Sequence, residues 1–482
     1  MTTTQRVLRN ASLLGASQVL TKSIVFVSYM ILARLLGDLG FGEMSFGLSY
    51  GALFTVLASM GIETTVIRDI AQQRHPVQLL VSRAVTLRLL LTVIAFVIAI
   101  AGSFIFGYSS HLRIVIFLFG VAVMQDAYAR LLFGVFRAQQ QMQYEAVINL
   151  VNKGAVLAGL VLALALHAGI YAVGITYIAA NSVLLLLAFI VLKRRFVVPT
   201  LRWDVPGWRS LLRESFPFAT IVVLGTISFR IDTVMLEAMK GAVVVGWYGA
   251  PYRIIEMLGF IPDAVGSALM PAVASLYVNE RWKVAGGVRQ SIRFLVFIGI
   301  GLAAGGCMLS GELLGLALGP GFAPSAPAFQ ILVWAMVFIF VEFITITTMT
   351  AIHLQNQLIL LSAVGVAVNV SLNFLLIPRY SLMGASVVTV ITEALNAGLG
   401  LYFICRSLRE RLVSRDLLVY VAAGGVACAV MYWLKAPAGW VAAGAAGAAV
   451  YAAAAFLLRG IRDEDVAVLK QFVKRRDGGV AK

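Results

Sequence analysis

The sequence predicts an all-α polytopic membrane protein. Of its 482 residues, 61% are hydrophobic and only 12% are charged, and the mean hydropathy is +0.93. Ordinary soluble domains carry roughly 25% charged residues. Apolar runs of about 20 residues recur from end to end, and a helix of that length crosses a hydrocarbon core of roughly 30 Å. The period-2 alternation of membrane β-strands is absent, which leaves helices as the spanning elements.

About fourteen apolar segments are long enough to be transmembrane helices, and polar or charged residues separate them. They lie near residues 10–33, 42–66, 84–107, 112–134, 145–167, 170–192, 216–239, 247–276, 290–310, 327–351, 358–377, 382–404, 417–434 and 439–458.

The placement of the basic residues predicts the orientation of these spans. The chain has 38 Lys and Arg and a net charge of +16. If the N-terminus is cytoplasmic, 28 of the 38 fall in or beside cytoplasmic segments, five lie outside and five lie within spans. This is a strong positive-inside bias, and it places both termini in the cytoplasm. The basic stretches therefore face anionic lipid, and nucleic acid is not expected as a partner.

The spans are expected to form two six-helix lobes and a peripheral pair. The predicted parts are an N-lobe at 1–195 (spans 1–6), a cytoplasmic linker at 196–215, a C-lobe at 216–404 (spans 7–12), peripheral spans 13–14 at 405–458 and a basic cytoplasmic tail at 459–482. The boundary follows the longest polar interruption, which begins at the KRR of 193–195.

A weak internal repeat supports this division. At a constant offset of 204 residues, Leu32, Gly37 and Gly42 match Leu236, Gly241 and Gly246, where in both lobes a first helix ends and a second begins. Repeated halves of six spans are typical of secondary transporters, whose substrate site lies near the midplane between the repeats.

Polar stripes in the N-lobe spans predict a shared water-filled cavity. The stripes are Gln18, Lys22 and Tyr29 in span 1; Ser45, Ser49, Ser59 and Glu63 in span 2; and Glu145, Asn149 and Lys153 in span 5. Each set shares a helical face. Polar contacts between neighbouring helices are the alternative explanation. Asp126 and Arg130, spaced i and i+4, are expected to form a local ion pair.

The sign of the buried charges favours an anionic cargo. A charged residue at a helix centre costs about 2.5 to 3.5 kcal/mol on insertion scales, so it needs a partner or water. Lys22 and Lys153 lie too deep to reach the interface easily. A cavity for organic cations would instead be rich in Asp and Glu. Phosphate attached to lipid is the anion that a membrane cavity most plausibly serves.

Five charges surround the turn between spans 7 and 8, and their spacing predicts specific pairs. Arg230 and Glu256 lie equally far from the turn near Val243, so they should meet across antiparallel helices. Glu237 is expected to pair with Arg253, and Asp232 to face the cavity or the other lobe. The two pairs either fix the helices statically or lend Arg230 and Arg253 to the cargo during transport.

Motifs for catalysis or cofactor binding are not visible in the sequence. It has no GxxxxGK[ST], HExxH or GxSxG motif, its four histidines are far apart, and no loop is long enough for a catalytic domain. We therefore expect a transporter that is not an enzyme and has no cofactor or metal.

Three stretches resemble the Wzx-type oligosaccharide flippases of bacterial polysaccharide biosynthesis, in the superfamily of MATE exporters and lipid II flippases. They are GASQVLTKSIVFVSYMILARLLGDLGFGEMSFGLSYG (15–51), RIDTVMLEAMKGAVVVGWYGAPYRIIE (230–256) and LIPRYSLMGASVVTVITEAL (376–395). The likeness covers nearly the whole chain. It departs at Glu237, where a small residue is expected, and at Ser381, where glycine is expected.

The resemblance implies two lobes that open alternately and carry an undecaprenyl-diphosphate-linked oligosaccharide across the bacterial inner membrane. The cargo, membrane lipid, and the polymerase and glycosyltransferases of the pathway would be its partners. The implied cavity cations are Lys22, Lys153, Arg230 and Arg253, and the implied cavity-polar or ion-coupling residues are Gln18, Glu63, Asn149, Asp232, Glu256, Glu342 and Glu393. Asp126 is a further candidate proton carrier. A MATE-like multidrug exporter, a lipid II flippase and a membrane glycosyltransferase or polymerase remain alternatives.

Overall fold

The computed structural model describes residues 3–413 and 416–458, with side chains from residue 20 onward. Within these ranges the chain is helical and contains no strand, which confirms the predicted fold class. The side chain of Gln18 and the predicted tail at 459–482 lie outside the described residues.

Fourteen α-helices and one 3₁₀ turn make up the described part of the chain. In order they are α1 Thr3–Ser59, α2 Ile62–Ala71, α3 Val77–Ile105, α4 Ser110–Ala138, α5 Met142–Ala165, α6 Ile170–Arg195, α7 Val205–Lys240, α8 Ala242–Leu258, α9 Phe260–Asn279, α10 Arg281–Met308, α11 Ser310–Leu318, the 3₁₀ turn Pro320–Ser325, α12 Ala326–Ala351, α13 Gln355–Leu408 and α14 Asp416–Leu457.

Eleven helical stretches in the described ranges are long and apolar enough to cross a membrane. Three of the longest contain a break with positive φ: α1 at Gly37, α13 at Ser381 and α14 at Gly439. At each break the chain bends, so each of these stretches consists of two helical segments. The total of fourteen membrane crossings stays a prediction. Ser381 has φ 54°, a conformation that favours glycine, which explains why glycine is expected at this position.

Two compact units make up the chain. The first comprises residues Met1–Met257, Ala317–Phe322 and Ser362–Ala385, and the second comprises Leu258–Leu316, Ala323–Leu361 and Ser386–Lys482. In the first unit, α1 packs against α3, α4, α5 and α7, and α4 packs against α6. In the second unit, α10 packs against α9, α12 and α14. The predicted boundary between lobes at 196–215 stays a prediction.

Helix α7 begins inside the predicted linker. Asp204 caps it, because its side chain accepts a hydrogen bond of 3.0 Å from the backbone N–H of Gly207. Pro206 then occupies the first turn, where its missing N–H costs nothing. Residues 205–215 are therefore helical, and the connection between α6 and α7 is confined to 196–204.

The internal repeat is visible in the backbone of the first unit. Gly37 has φ 64° and ψ −171°, and Gly241, 204 positions later, has φ 84° and ψ 171°. Both glycines turn the chain from one helix into the next through the same conformation, which a side chain would strain. Leu32 and Leu236, the first pair of the repeat, are both fully buried.

The second repeated glycine pair allows two helices to cross at backbone contact. A Cβ added to Gly42 would overlap the carbonyl oxygen of Ala242, and a Cβ added to Gly246 would overlap the carbonyl oxygen of Asp38. Asp38 and Ala242 are themselves 204 positions apart, so the contact is reciprocal, as it is across a two-fold axis. The tryptophan beside the crossing, Trp247, donates from Nε1 to Asp38 Oδ2 at 3.1 Å.

Candidate functional site

A cavity of about 350 Å³ lies within the first unit and collects polar side chains from six helices. Its lining residues are Tyr29, Leu48, Ala52 and Thr55 on α1; Ala122, Val123, Asp126 and Arg130 on α4; Lys153 on α5; Tyr177 and Asn181 on α6; Arg230 on α7; and Arg253 on α8. Three of the four predicted cavity cations, Lys153, Arg230 and Arg253, therefore lie at one site.

The lining is strongly cationic. Arg130, Lys153, Arg230 and Arg253 face the cavity, and Asp126 is the one acidic residue among the lining side chains. Arg130 Nη1 lies 3.4 Å from Asp126 Oδ2, which confirms the local ion pair predicted for these two residues. Because both side chains also line the cavity, this pair belongs to the candidate site as well.

Glu256 holds two of the cavity arginines in place. Arg253 Nη1 donates to Glu256 Oε2 at 2.6 Å, and Arg230 Nη1 donates to Glu256 Oε1 at 3.4 Å. The Arg253 guanidinium also lies over the ring of Tyr29, 5.4 Å from its centroid, in a cation–π arrangement. The predicted contact between Arg230 and Glu256 is confirmed.

The second predicted pair in this region is wrong. Arg253 binds Glu256, three residues later on its own helix, and does not bind Glu237. An i, i+3 partner on the same helix is closer than a residue displaced by about one turn on the neighbouring helix. Glu237 lies instead near Glu43 and Tyr108, close enough for their charges to interact.

Asp232 does not line the cavity. Its side chain is buried, accepts a hydrogen bond from the hydroxyl of Tyr248 on α8, and accepts a second from the backbone N–H of Thr233 at 2.7 Å. Tyr248 thus binds the carboxylate between α7 and α8, Asp232 is not among the residues that line the cavity, and the expectation that it faces the other lobe stays a prediction.

An asparagine pair connects the helices behind the cations, and the sequence analysis missed it. Asn152 Nδ2 donates to Asn181 Oδ1 at 2.9 Å, and Asn181 Nδ2 donates to the carbonyl oxygen of Ala122 at 2.8 Å. Asn181 thereby ties together α4, α5 and α6 while it faces the cavity. The spacing of Tyr177 and Asn181, i and i+4 in an otherwise apolar span, is the signal that would have indicated this face.

Glu63 lies outside the cavity lining because α1 ends before it. The backbone breaks at Met60 and Gly61, both with positive φ, so Glu63 stands on α2 and does not continue the stripe of Ser45 and Ser49. Its Oε1 lies 3.0 Å from Nη1 of Arg137.

The stripe predicted on α5 divides between two environments. Glu145 accepts hydrogen bonds from Arg137, whereas Lys153, two turns further along, lines the cavity. Asn149, between them, is half-buried and is not among the lining residues. Lys22 on α1 is also half-buried and is close enough to Glu256 for their charges to interact.

Glu342 and Glu393 lie in the second unit and belong to a separate polar cluster. Their side chains form a hydrogen bond with each other, and Glu342 also bonds to Asn396. An ion-coupling role for these two residues stays a prediction.

Comparison with known proteins gives a family match over more than half of the chain. The model of the family described as "Polysaccharide biosynthesis protein" matches residues 7–277. The capsular polysaccharide biosynthesis protein CapF of Staphylococcus aureus is 25% identical over 194 residues, which are 39% of this chain and 48% of CapF. The chain thus spans about half the length of that relative.

A longer match and a solved structure agree with this family. The probable low-salt glycan biosynthesis flippase Agl15 of Haloferax volcanii is 22% identical over 414 residues, 82% of this chain and 83% of Agl15. The lipid II flippase MurJ in an inward closed conformation superposes with a TM-score of 0.73 at 12% identity, covering 91% of this chain and 98% of MurJ. At that identity, the likeness to MurJ concerns the fold alone.

Proposed function

Because the chain belongs to the polysaccharide biosynthesis protein family, we propose that it is a flippase for a lipid-linked oligosaccharide. The cargo is an undecaprenyl-diphosphate-linked oligosaccharide, which moves by alternating access from the cytoplasmic to the periplasmic leaflet of the bacterial inner membrane. The product then serves the polymerase and glycosyltransferases that assemble a surface or extracellular polysaccharide.

The excess of positive charge at the cavity carries this proposal. Four cations line the cavity, while Asp126 and Glu256 contribute two carboxylates, so two positive charges remain without a counter-ion at the site. A diphosphate carries about two negative charges and would balance this excess. Two unit charges about 4 Å apart interact by about 4 kcal/mol at an effective dielectric constant of about 20, compared with about 1 kcal/mol in bulk water.

The arginines suit phosphate in their geometry as well. A guanidinium presents several N–H donors in a planar fork and binds phosphate oxygens bidentately. Arg230 lies 3.4 Å from Glu256, a looser contact than the 2.6 Å of Arg253. Arg230 is therefore the cation that exchanges Glu256 for a cargo phosphate most readily, whereas Arg253 stays anchored between Glu256 and Tyr29.

The same charge excess argues against a MATE-like exporter of organic cations. Such a carrier needs carboxylates in excess over cations, and this lining has the opposite balance. An anionic cargo also has an energy source. Outward movement of charge from a negative interior releases roughly 2.3 kcal/mol per charge per 100 mV, if the charge moves uncompensated.

The test is flipping of fluorescent undecaprenyl-diphosphate oligosaccharide in vesicles that contain the purified protein. We expect wild-type protein to expose the label to a membrane-impermeant quencher, faster with the interior negative. Lys153→Glu changes the local charge by two units and cancels the excess, so flipping should fall at least about tenfold. Arg213→Glu is the matched control, since Arg213 is an exposed cation on the same helix as Arg230 and lies outside the cavity lining.

Two results would contradict the proposal. Flipping by well-folded Lys153→Glu at the wild-type rate would show that the cationic cavity does not serve the cargo. Transport of a cationic dye by the wild-type protein, without flipping of the labelled lipid, would favour the exporter instead. The same assay with labelled lipid II measures whether the protein flips a diphosphate lipid that carries a peptide as fast as it flips the oligosaccharide lipid.

A further inference from the structure

A second cavity of about 730 Å³ lies in the first unit, on the side of α4 and α6 opposite the cationic site. Helices α3, α4 and α6 form its walls, and its lining is almost entirely apolar. Neighbouring residues of α4 separate the two cavities, since Gln125 faces this one and Asp126 faces the other. The second cavity is therefore a distinct groove and has no part in the cationic site.

The groove is open to the membrane and about one leaflet deep. Along α3 its lining runs from Val85 to Phe96, twelve residues that cover about 16 Å of helix, close to half of a hydrocarbon core of roughly 30 Å. Leu89 and Val93, between these ends, are 44% and 53% exposed although they lie on a spanning helix. Apolar side chains exposed at this depth contact hydrocarbon.

Three polar side chains of the groove wall donate hydrogen bonds within the protein, while Gln125 Oε1 is buried without a partner among the described residues. Tyr128 donates from its hydroxyl to the carbonyl oxygen of Val85 at 3.0 Å, and Thr92 donates to the carbonyl oxygen of Arg88 at 2.7 Å. Gln125 donates from Nε2 to Ser182 Oγ at 2.9 Å. With these three donors engaged and most of the other lining residues apolar, the wall suits a hydrocarbon chain.

One end of the groove is closed by the connection between α6 and α7. Val198, Pro199 and Leu201 form this end. Three side chains of α3 form hydrogen bonds with the backbone of the connection. These bonds are Gln78 Nε2 to Val198 O at 2.7 Å, Thr200 N to Ser82 Oγ at 3.1 Å and Arg202 N to Thr86 Oγ1 at 3.0 Å. The end wall is thus fixed in place.

A cation stands at the same end. Lys193 lines the groove, is exposed, and forms no ion pair with any residue in the described part of the chain. Arg194 and Arg195 follow it and are exposed too. An apolar groove that ends at an exposed cation complements an anionic phospholipid. The apolar wall suits the acyl chain, and the ammonium group of Lys193 suits the phosphate.

We propose that this groove binds one anionic phospholipid of the bilayer, with an acyl chain along α3, α4 and α6 and its phosphate at Lys193. The lipid comes from the leaflet on the side of the basic KRR stretch, where anionic headgroups attract Lys and Arg. It is a resident lipid and is separate from the transported cargo.

The test is native mass spectrometry of the delipidated full chain titrated with phosphatidylglycerol or phosphatidylcholine. We expect wild-type protein to retain one phosphatidylglycerol at a concentration at least about tenfold lower than phosphatidylcholine. Leu89→Trp fills the groove and should abolish this preference. Ile98→Trp is the matched control, because Ile98 is 44% exposed on the same helix, like Leu89, but does not line the groove. Lys193→Gln should weaken the binding of phosphatidylglycerol and leave the binding of phosphatidylcholine unchanged. Arg194→Gln should weaken the binding of phosphatidylglycerol less than Lys193→Gln does.

A second measurement needs no variant. Photoactivatable phosphatidylglycerol with a diazirine in its acyl chain should label peptides that contain residues 85–96 and 185–193 in the wild-type protein. Labelling spread evenly over the exposed helices would overturn the proposal, as would unchanged phosphatidylglycerol retention in Leu89→Trp. Retention of undecaprenyl phosphate without retention of phosphatidylglycerol would overturn it too, because the groove would then belong to the cargo.

Discussion

Glu256 is the residue on which the cationic site depends. It accepts hydrogen bonds from Arg253 and Arg230, and its own side chain is 26% exposed. One carboxylate therefore compensates two guanidinium groups inside a spanning region. Combining Arg230→Glu with Glu256→Arg would place an arginine three residues after Arg253 on the same helix. This exchange keeps the net charge, but it removes the contact between Arg253 and Glu256.

We expect Glu256→Gln to destabilise the protein more than Arg230→Gln. The first change leaves two arginines without their carboxylate, and breaking a buried pair costs about 3 to 5 kcal/mol before the partial exposure of this site reduces the cost. The second change leaves the 2.6 Å contact of Arg253 with Glu256 intact. Thermal unfolding in detergent, followed by intrinsic fluorescence, measures both. Equal unfolding temperatures for the two variants would contradict the shared role of Glu256.

At the scale of helices, the reciprocal glycine crossing brings α8 and the second half of α1 into backbone contact. Gly42 and Gly246 leave no room for a side chain against the opposing helix. Close approach of this kind is typical of small residues between membrane helices. Gly42 approaches the carbonyl oxygen of Ala242, and Gly246 approaches the carbonyl oxygen of Asp38. Because both contacts join the same two helices, they form or separate together.

Gly42→Ala should therefore separate this crossing. We expect lower thermal stability and greater solvent access to Val245, which is fully buried beside the crossing. The measurement is labelling of Val245→Cys by a membrane-impermeant maleimide, after Cys307, Cys405 and Cys428 have been replaced. Gly225→Ala serves as the control, because a Cβ there meets no atom within 4 Å. Labelling that Gly42→Ala leaves unchanged would show that the crossing tolerates a side chain.

The start of α7 depends on a single carboxylate. Asp204 accepts a hydrogen bond from the N–H of Gly207 and a second from Arg83 Nε at 2.6 Å. The hydrogen bond from Gly207, followed by that from Arg83, lowers the pKa of Asp204 below its ordinary value. A lowered pKa in the folded state means that the ionised form stabilises the fold.

The contribution of Asp204 should consequently depend on pH. It is present above the ordinary carboxyl pKa of about 4 and is lost as the pH falls through the lower folded-state pKa. We expect Asp204→Ala to reduce the unfolding temperature at pH 7, and the difference from wild type to shrink below about pH 4. Unfolding temperatures in detergent across this range test it. A difference that persists unchanged at the acidic end would mean that the charge of Asp204 has no part in capping α7.

At the scale of the whole molecule, the placement of charge predicts how the chain is oriented in the membrane. The basic stretch at 193–195 ends α6, and few Lys or Arg lie on the opposite side of the predicted topology. Within the second unit, Lys435 Nζ lies 2.9 Å from Glu312 Oε1, so the middle of α14 and the start of α11 are in contact.

We expect both termini to be cytoplasmic. Reporter fusions at Lys193 and Lys482 should be active as cytoplasmic fusions, and a fusion at Lys435 should be active outside, since the positive-inside bias sets this orientation. Paired reporters, one active in the cytoplasm and one active in the periplasm, provide the measurement. A periplasmic result at Lys482 would require an odd number of crossings.

Some contacts of the candidate site can be predicted from the spacing of residues along the sequence. Others depend on how the helices pack and cannot be predicted in this way. Helical periodicity and distance from a turn are sufficient to bring Arg230 to Glu256, because both residues lie on adjacent helices joined by that turn. The same reasoning failed for Glu237 and Arg253, since a nearer carboxylate on the same helix competes for the arginine. Asn181 lies 29 residues from Asn152 in sequence, and only packing of α5 on α6 reveals their contact.

The sequence by itself determined the membrane class, the helical fold, the excess of cations and the repeated glycines, because hydropathy, charge and helix breaks are properties of short segments. The tertiary structure decided which cations share one cavity, which carboxylate compensates them, and which apolar faces form the groove beside Lys193. These arrangements depend on how each helix is rotated about its axis against several neighbours. Close packing of many side chains sets that rotation, and the periodicity of a single helix does not specify it.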